Sequence, residues 1–176
     1  MNSDLFSKNY FELFGLPGSY AIDSAKLDAA YRDVQSQVHP DRFANASDAE
    51  RRRSMQWATL ANEAYQTLKR PLSRARYLVR LNGIDTAEET DTAMPADFLM
   101  KQMEWREAVV EAKAARDEQV LDRVDRDLLE ARESRLQELK AALDEQRDFT
   151  RGATLVRELR FLEKLQEDIA DAREEI

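Results

Sequence analysis

The sequence predicts an all-α protein in two pieces, and three observations carry that prediction. Apolar residues recur at three- and four-residue spacing through most of the 176 residues, the signature of amphipathic helices. The breaks in that pattern hold residues that start and stop helices, among them Pro40, the Ser47-Asp48-Ala49-Glu50 run, Asn82-Gly83 and Pro95. The composition, 35% charged and 43% hydrophobic, suits helices with long solvated faces. A chain of this length makes one or two domains.

Residues 9–15 form a short first helix, with Tyr10, Phe11, Leu13 and Phe14 to pack and Gly15 to end it; Pro17-Gly18 then turns the chain. Asp23 or Ser24 caps a second helix, and Ile22 just outside is placed for a hydrophobic staple. Leu27, Ala30, Tyr31, Val34 and Val38 are its apolar stripe. Pro40 stops it, because the residue before a proline is pushed out of the α region. Ser47 and Glu50 have the capping-box spacing that opens a third helix, about 47–69, whose Trp57, Leu60, Ala61, Ala64 and Leu68 should pack on Leu27, Tyr31 and Val34. Arg51-Arg52-Arg53 reads as a solvated first turn, poorly placed for the helix dipole. Pro71 separates a fourth helix, from Leu72 to about Leu81, which Asn82-Gly83 closes.

Residues 84–96, rich in Asp, Glu, Thr and Ala, lack a sustained period and mark a boundary between pieces spanning 1–83 and 96–176, joined by a linker at 84–95. Three long helices follow, about 95–115, 117–149 and 153–175, with Pro95 opening the first and Gly152 marking the last turn. Their short connections favour an antiparallel three-helix bundle. Leu121, Val124, Leu128, Leu136, Leu139 and Leu143 line one helix; Leu155, Leu159, Leu162, Leu165 and Ile169 line the last.

Composition excludes several functions. The net charge of −8 argues against a nucleic-acid surface. With no cysteine and one histidine, there are no disulfides and no zinc site of the usual ligand count; no metal or cofactor is expected. No apolar run approaches the roughly 20 residues that cross a bilayer. Met1-Asn2-Ser3-Asp4 resembles neither a secretory nor a mitochondrial leader, so a cytoplasmic protein is expected.

The residues singled out by chemistry are His39, Pro40 and Asp41, displayed with Arg42 between two helices. A hydrolase using His39 as general base would need a nucleophile and an oxyanion hole at a recognisable spacing, and the sequence supplies neither. A loop that merely caps two helices is the plain alternative. This tripeptide between two helices resembles the J-domain, the module that activates DnaK-type ATPase chaperones. Tyr10-Phe11-Glu12-Leu13-Phe14-Gly15-Leu16 and Asn62-Glu63-Ala64-Tyr65-Gln66-Thr67-Leu68 are similar to the first helix and the end of the third helix of J-domains. The run from Arg70 to Leu78, Asp97-Phe98-Leu99-Met100 and the run from Arg157 to Leu165 resemble one family of J-proteins, HscB, the co-chaperones of iron–sulfur cluster assembly.

The resemblance implies an L-shaped arrangement of J-domain and C-terminal bundle, with no catalysis by the chain itself. It implies two partners: a DnaK-type chaperone (HscA-like), met by His39, Pro40, Asp41, Arg42, Lys26 and Arg32, and an iron–sulfur scaffold protein (IscU-like). The helix before the loop departs from the family's basic pattern. Its Lys26 and Arg32 are balanced by Asp28 and Asp33, which predicts weak docking, limited steering and a dedicated chaperone. On the helix at about 95–115, Leu99, Met100, Met103 and Val110 widen the apolar coverage beyond one bundle face, and Glu104, Glu107 and Glu111 edge it. Phe161 falls off the main stripe of the last helix. The resemblance makes Leu99, Met100, Met103, Glu104, Glu107, Glu111 and Phe161 the scaffold contact. A J-protein or helical interaction module serving another client is the other reading.

Overall fold

The computed structural model describes residues 7–86 and 94–175, all helical where regular. The predicted linker, 84–95, lies mostly outside the described residues. Seven α-helices appear among them: α1 (Tyr10–Leu13), α2 (Ser24–Val38), α3 (Asp48–Lys69), α4 (Pro71–Leu81), α5 (Ala96–Ala115), α6 (Glu118–Lys140) and α7 (Phe149–Glu175). The chain divides into two compact units, Met1–Leu78 and Val79–Ile176, a division that falls within α4. No helix among the described residues is long and apolar enough to cross a membrane.

In the first unit α2 and α3 pack as a hairpin, and α1 lies on α3. Asn9 and Glu12 make a reciprocal capping box at α1, and Gly15, at φ +61°, takes the left-handed turn that releases the chain. Asp23 caps α2 through bonds from the amides of Ala25 and Lys26, settling the choice between Asp23 and Ser24. Ser47 and Glu50 form the second capping box as predicted. Leu27, Val38, Trp57, Ala61, Ala64 and Leu68 are buried, while Tyr31, Val34 and Leu60 are half-buried. Tyrosines knit the helices at the surface. Tyr31 stacks on Tyr65 with centroids 4.1 Å apart, and Tyr10 stacks on Tyr77 at 4.3 Å. Burial, then the bond to Glu63, pushes the Tyr10 phenol up to about 12.

The second unit is a three-helix bundle in which α6 and α7 make the largest contact and α5 packs on both. Its core holds Phe98, Trp105, Val109, Leu121, Leu128, Leu139, Leu143, Leu155, Leu162, Leu165 and Ile169. Two elements differ from the sequence reading. The middle helix ends at Lys140 and continues as a π-helical turn, Ala141–Gln146, with Arg147 at φ +57°. α7 begins at Phe149, so Gly152 lies inside the helix and not at the turn. Its glycine has another cause. A Cβ there would come within 2.5 Å of Leu143 Cδ2 and 3.3 Å of Val79 Cγ2, so the missing side chain lets three segments close on one another.

A buried charge was also unforeseen. Glu158 is fully buried on α7; it accepts from Arg135 Nε and lies 3.4 Å from Arg151, and both arginines also pair with Glu138. The network joins α6 to α7, and removing one member of such a group costs more than the intact group contributes.

Overpacking at a tight glycine costs about 1–3 kcal/mol. Gly152→Val is therefore expected to lower the unfolding free energy by about 2 kcal/mol in urea denaturation. An unchanged midpoint would contradict the packing role.

Candidate functional site

Pro40 shapes the exposed end of the α2–α3 hairpin. It has no N–H to give the carbonyl of Ser36 four residues back, and the guanidinium of Arg42 donates to that carbonyl at 2.9 Å instead. The last residue of α2, Val38, is met differently. The Ser54 hydroxyl, buried on α3, donates to the Val38 carbonyl at 2.8 Å. Two free carbonyls of a helix end are thus satisfied by side chains, one from the loop and one from α3. What looks like an irregular loop is a 3₁₀ turn, Pro40–Phe43.

His39 caps that turn. Its Nδ1 accepts from the amide of Asp41 at 3.3 Å, and Arg42 N–H donates to the His39 carbonyl at 3.0 Å. A ring whose Nδ1 accepts carries its proton on Nε2 when neutral. The side chains of His39 and Asp41 are 52% and 91% exposed, 3.6 Å apart at their closest polar atoms. The turn therefore presents a donor and a carboxylate outward, with little chain freedom left to lose on binding. Arg42 is exposed as the sequence suggested, but one of its five N–H groups is committed to the helix end.

Lys26 and Arg32 are both exposed on α2. Lys26 sits in the first turn, roughly 20 Å from His39 at 1.5 Å per residue. Asp28, between them, is taken up by Lys69 at 2.6 Å and the Tyr65 hydroxyl at 2.9 Å, bonds that hold its carboxyl below the usual range. The Arg51 guanidinium pairs with Asp48 in the first turn of α3, and Arg53 lies over the Trp57 ring.

On α5 the structure separates the other candidates. Leu99 is 39% exposed, Met100 66% and Met103 70%. Glu104, Glu107 and Glu111 are exposed beside them. Phe161 is not on this surface. It is 8% exposed, edge-on to Phe98 at 5.8 Å and covered by the guanidinium of Arg106, 5.0 Å above its ring. It stands off the main stripe but is buried all the same, because α7 packs against two helices, which cover more than one stripe. Among the described residues no group of three His, Cys, Asp or Glu stands ready to hold a metal ion.

Known proteins match over the same features. Residues 94–170 match the family described as the HSCB C-terminal oligomerisation domain. A co-chaperone protein HscB homolog of Aromatoleum aromaticum is 48% identical over 174 residues, 99% of this chain and 98% of that relative. Chaperone HscB from Vibrio cholerae superposes with a TM-score of 0.80 at 37% identity, covering 95% of this chain and 98% of that one. Human co-chaperone HscB gives 0.85 at 33% identity, over 93% of this chain and 81% of that one. A J-domain followed by a helical C-terminal domain is the class these features define, that of the J-domain co-chaperones. Within it, the chain belongs to the HscB family.

Losing a buried hydrogen bond leaves one carbonyl unsatisfied, at about 1–3 kcal/mol. Ser54→Ala is expected to lower stability by about 1 kcal/mol and to speed amide exchange at Asp41 and Arg42 by more than at the far end of α2. Uniform acceleration along the hairpin would contradict a role for Ser54 in holding the loop.

Proposed function

We propose that this chain stimulates ATP hydrolysis by a DnaK-type, HscA-like chaperone through His39, Pro40 and Asp41, and brings to it an IscU-like iron–sulfur scaffold protein held on α5. The single observation that carries the first half is the 3₁₀ turn with its exposed His39 and Asp41, tied to α2 by its own Arg42, on a helix end that Ser54 ties to α3. A preorganised donor and carboxylate suit recognition of a partner's switch element better than catalysis, since among the described residues neither side chain is hydrogen-bonded to a nucleophile. His39 offers an Nε2–H, Asp41 accepts, and Pro40 fixes the turn that spaces them. Lys26 and Arg32, far apart and beside acids, add modest steering that salt weakens.

The second half is supported by the exposed apolar side chains of Leu99, Met100 and Met103, edged by Glu104, Glu107 and Glu111. Thioether side chains repack easily against a partner, and a carboxylate rim selects a surface with complementary bases. Phe161 serves this face from beneath, bracing α5 through Phe98 and Arg106. In this reading ATP turnover tightens the hold of the chaperone on the scaffold and favours release or transfer of the cluster, which is cargo and not a cofactor of this chain. The protein acts in the cytoplasm, and no nucleic acid or membrane takes part.

With the cognate chaperone, the wild-type chain is expected to raise the steady-state ATPase rate and His39→Gln to abolish that rise while its helicity is unchanged. Equal stimulation by both would remove the loop from the mechanism. Separately, the Leu99→Ser, Met103→Ser double variant is expected to weaken scaffold binding about tenfold or more in calorimetry, since two central apolar contacts are lost, with stimulation of the ATPase in the absence of scaffold intact. Unchanged affinity would sink the assignment of this face.

A further inference from the structure

The chain carries sulfur in one chemical form. It has no cysteine and five methionines, and their placement runs against the habit of the residue. Methionine is most often buried, where it fills irregular gaps in a core, yet among the described residues no buried apolar side chain is a methionine. Met55 on α3 is 60% exposed, Met100 66% and Met103 70%; Met94, just before α5, is half-buried. Met100 and Met103 are three residues apart on α5, about 4.5 Å along its axis, and so stand side by side on the helix surface. Glu104 follows Met100 by four residues and Glu107 follows Met103 by four, which puts each carboxylate beside a thioether.

A thioether reacts with peroxide without first losing a proton. Its sulfur lone pair attacks one oxygen of hydrogen peroxide, an S–O bond forms and the O–O bond breaks. The departing hydroxide takes up the remaining proton and leaves as water. Sulfur is oxidised by two electrons and the peroxide is reduced. The product is a polar, chiral sulfoxide, which methionine sulfoxide reductases return to the thioether. That return uses two thiols and releases water and a disulfide.

We propose that Met100 and Met103 form a reversible oxidation site, at which hydrogen peroxide closes the α5 face to the scaffold protein without unfolding the chain. The proposal rests on the reading of that face as the scaffold surface. Each sulfoxide places a hydrogen-bond acceptor inside an apolar contact. Glu104 and Glu107 are acceptors too when ionised and have no proton to give it, so it is buried unsatisfied when the partner docks. Sulfoxide formation commonly disrupts a core; here the buried apolar side chains are free of methionine, and the bundle keeps its packing. The turn from His39 to Phe43 contains no sulfur, so oxidation on α5 separates the two activities, releasing the scaffold while stimulation of the chaperone persists.

The test treats only the full-length chain with hydrogen peroxide, removes the peroxide, and titrates the chain against purified IscU-type scaffold protein in a calorimeter. Peptide mass spectrometry locates the added oxygens. In wild type both Met100 and Met103 are expected to become sulfoxides, affinity to fall about tenfold or more, and the unfolding midpoint to stay within error. Incubation with methionine sulfoxide reductases and a dithiol is expected to restore binding. The Met100→Leu, Met103→Leu double variant keeps apolar side chains of similar volume and removes both thioethers. Its affinities before and after peroxide are expected to agree within about twofold, whereas Met55→Leu is expected to respond to peroxide as wild type does. An equal fall in the double variant, or wild-type affinity that survives full conversion of both residues, overturns the oxidation site and leaves the scaffold reading in place. Thioethers that persist at Met100 and Met103 while Met55 is converted overturn it as well. If the Leu99→Ser, Met103→Ser variant binds scaffold like untreated wild type, the scaffold reading fails and the oxidation site fails with it.

Discussion

A proline in the fortieth position leaves α2 with carbonyls it cannot satisfy from its own backbone, and the way they are satisfied sets the geometry of the exposed turn. Arg42 reaches back to Ser36, and Ser54 reaches across from α3 to Val38. Each bond is worth about 1 kcal/mol net, and leaving the buried Val38 carbonyl bare costs more. The result is a turn tied to the end of α2, which is itself held against α3. His39 and Asp41 project from it without needing contacts of their own, so residues with almost no role in the core still have a defined placement.

That logic divides the chain between rigidity and exposure. In the first unit the stacked tyrosines and the Asp28–Tyr65–Lys69 cluster bind α2 to α3 along their length, so the turn rides on a stiff hairpin. In the second, Gly152 and the buried Glu158 network fix α7 against its neighbours. α5 then has one side committed to core through Phe98, Trp105 and Val109, and another left apolar and open at Met100, Met103 and Val110. Exposed apolar side chains on a well-anchored helix bind with little ordering cost.

Much of this was legible in the sequence because the signals were local. Ser47 and Glu50 are three residues apart, Pro40 acts on its immediate neighbours, and α5 shows its surplus of apolar positions on a single helix. What escaped depends on neighbours distant in sequence. Gly152 has a turn-former's identity, yet its reason is a side chain on the π turn and another at Val79. Phe161 and Glu158 sit where a one-stripe reading of α7 expects partial exposure; a helix wedged between two others buries both, one against a ring and one against two arginines. Arg116 and Arg147 hold left-handed positions that glycine usually takes, and nothing local announces them.

The central claim is that one chain joins two events, activation of a chaperone at the 3₁₀ turn and capture of a scaffold on α5. It is tested most directly by measuring chaperone ATPase rates with this protein and the scaffold added singly and together. The account predicts a rate with both present well above the sum of the separate increments, and loss of that excess alone when the α5 face is altered. Strictly additive rates would contradict it, leaving a helical protein with two unrelated surfaces.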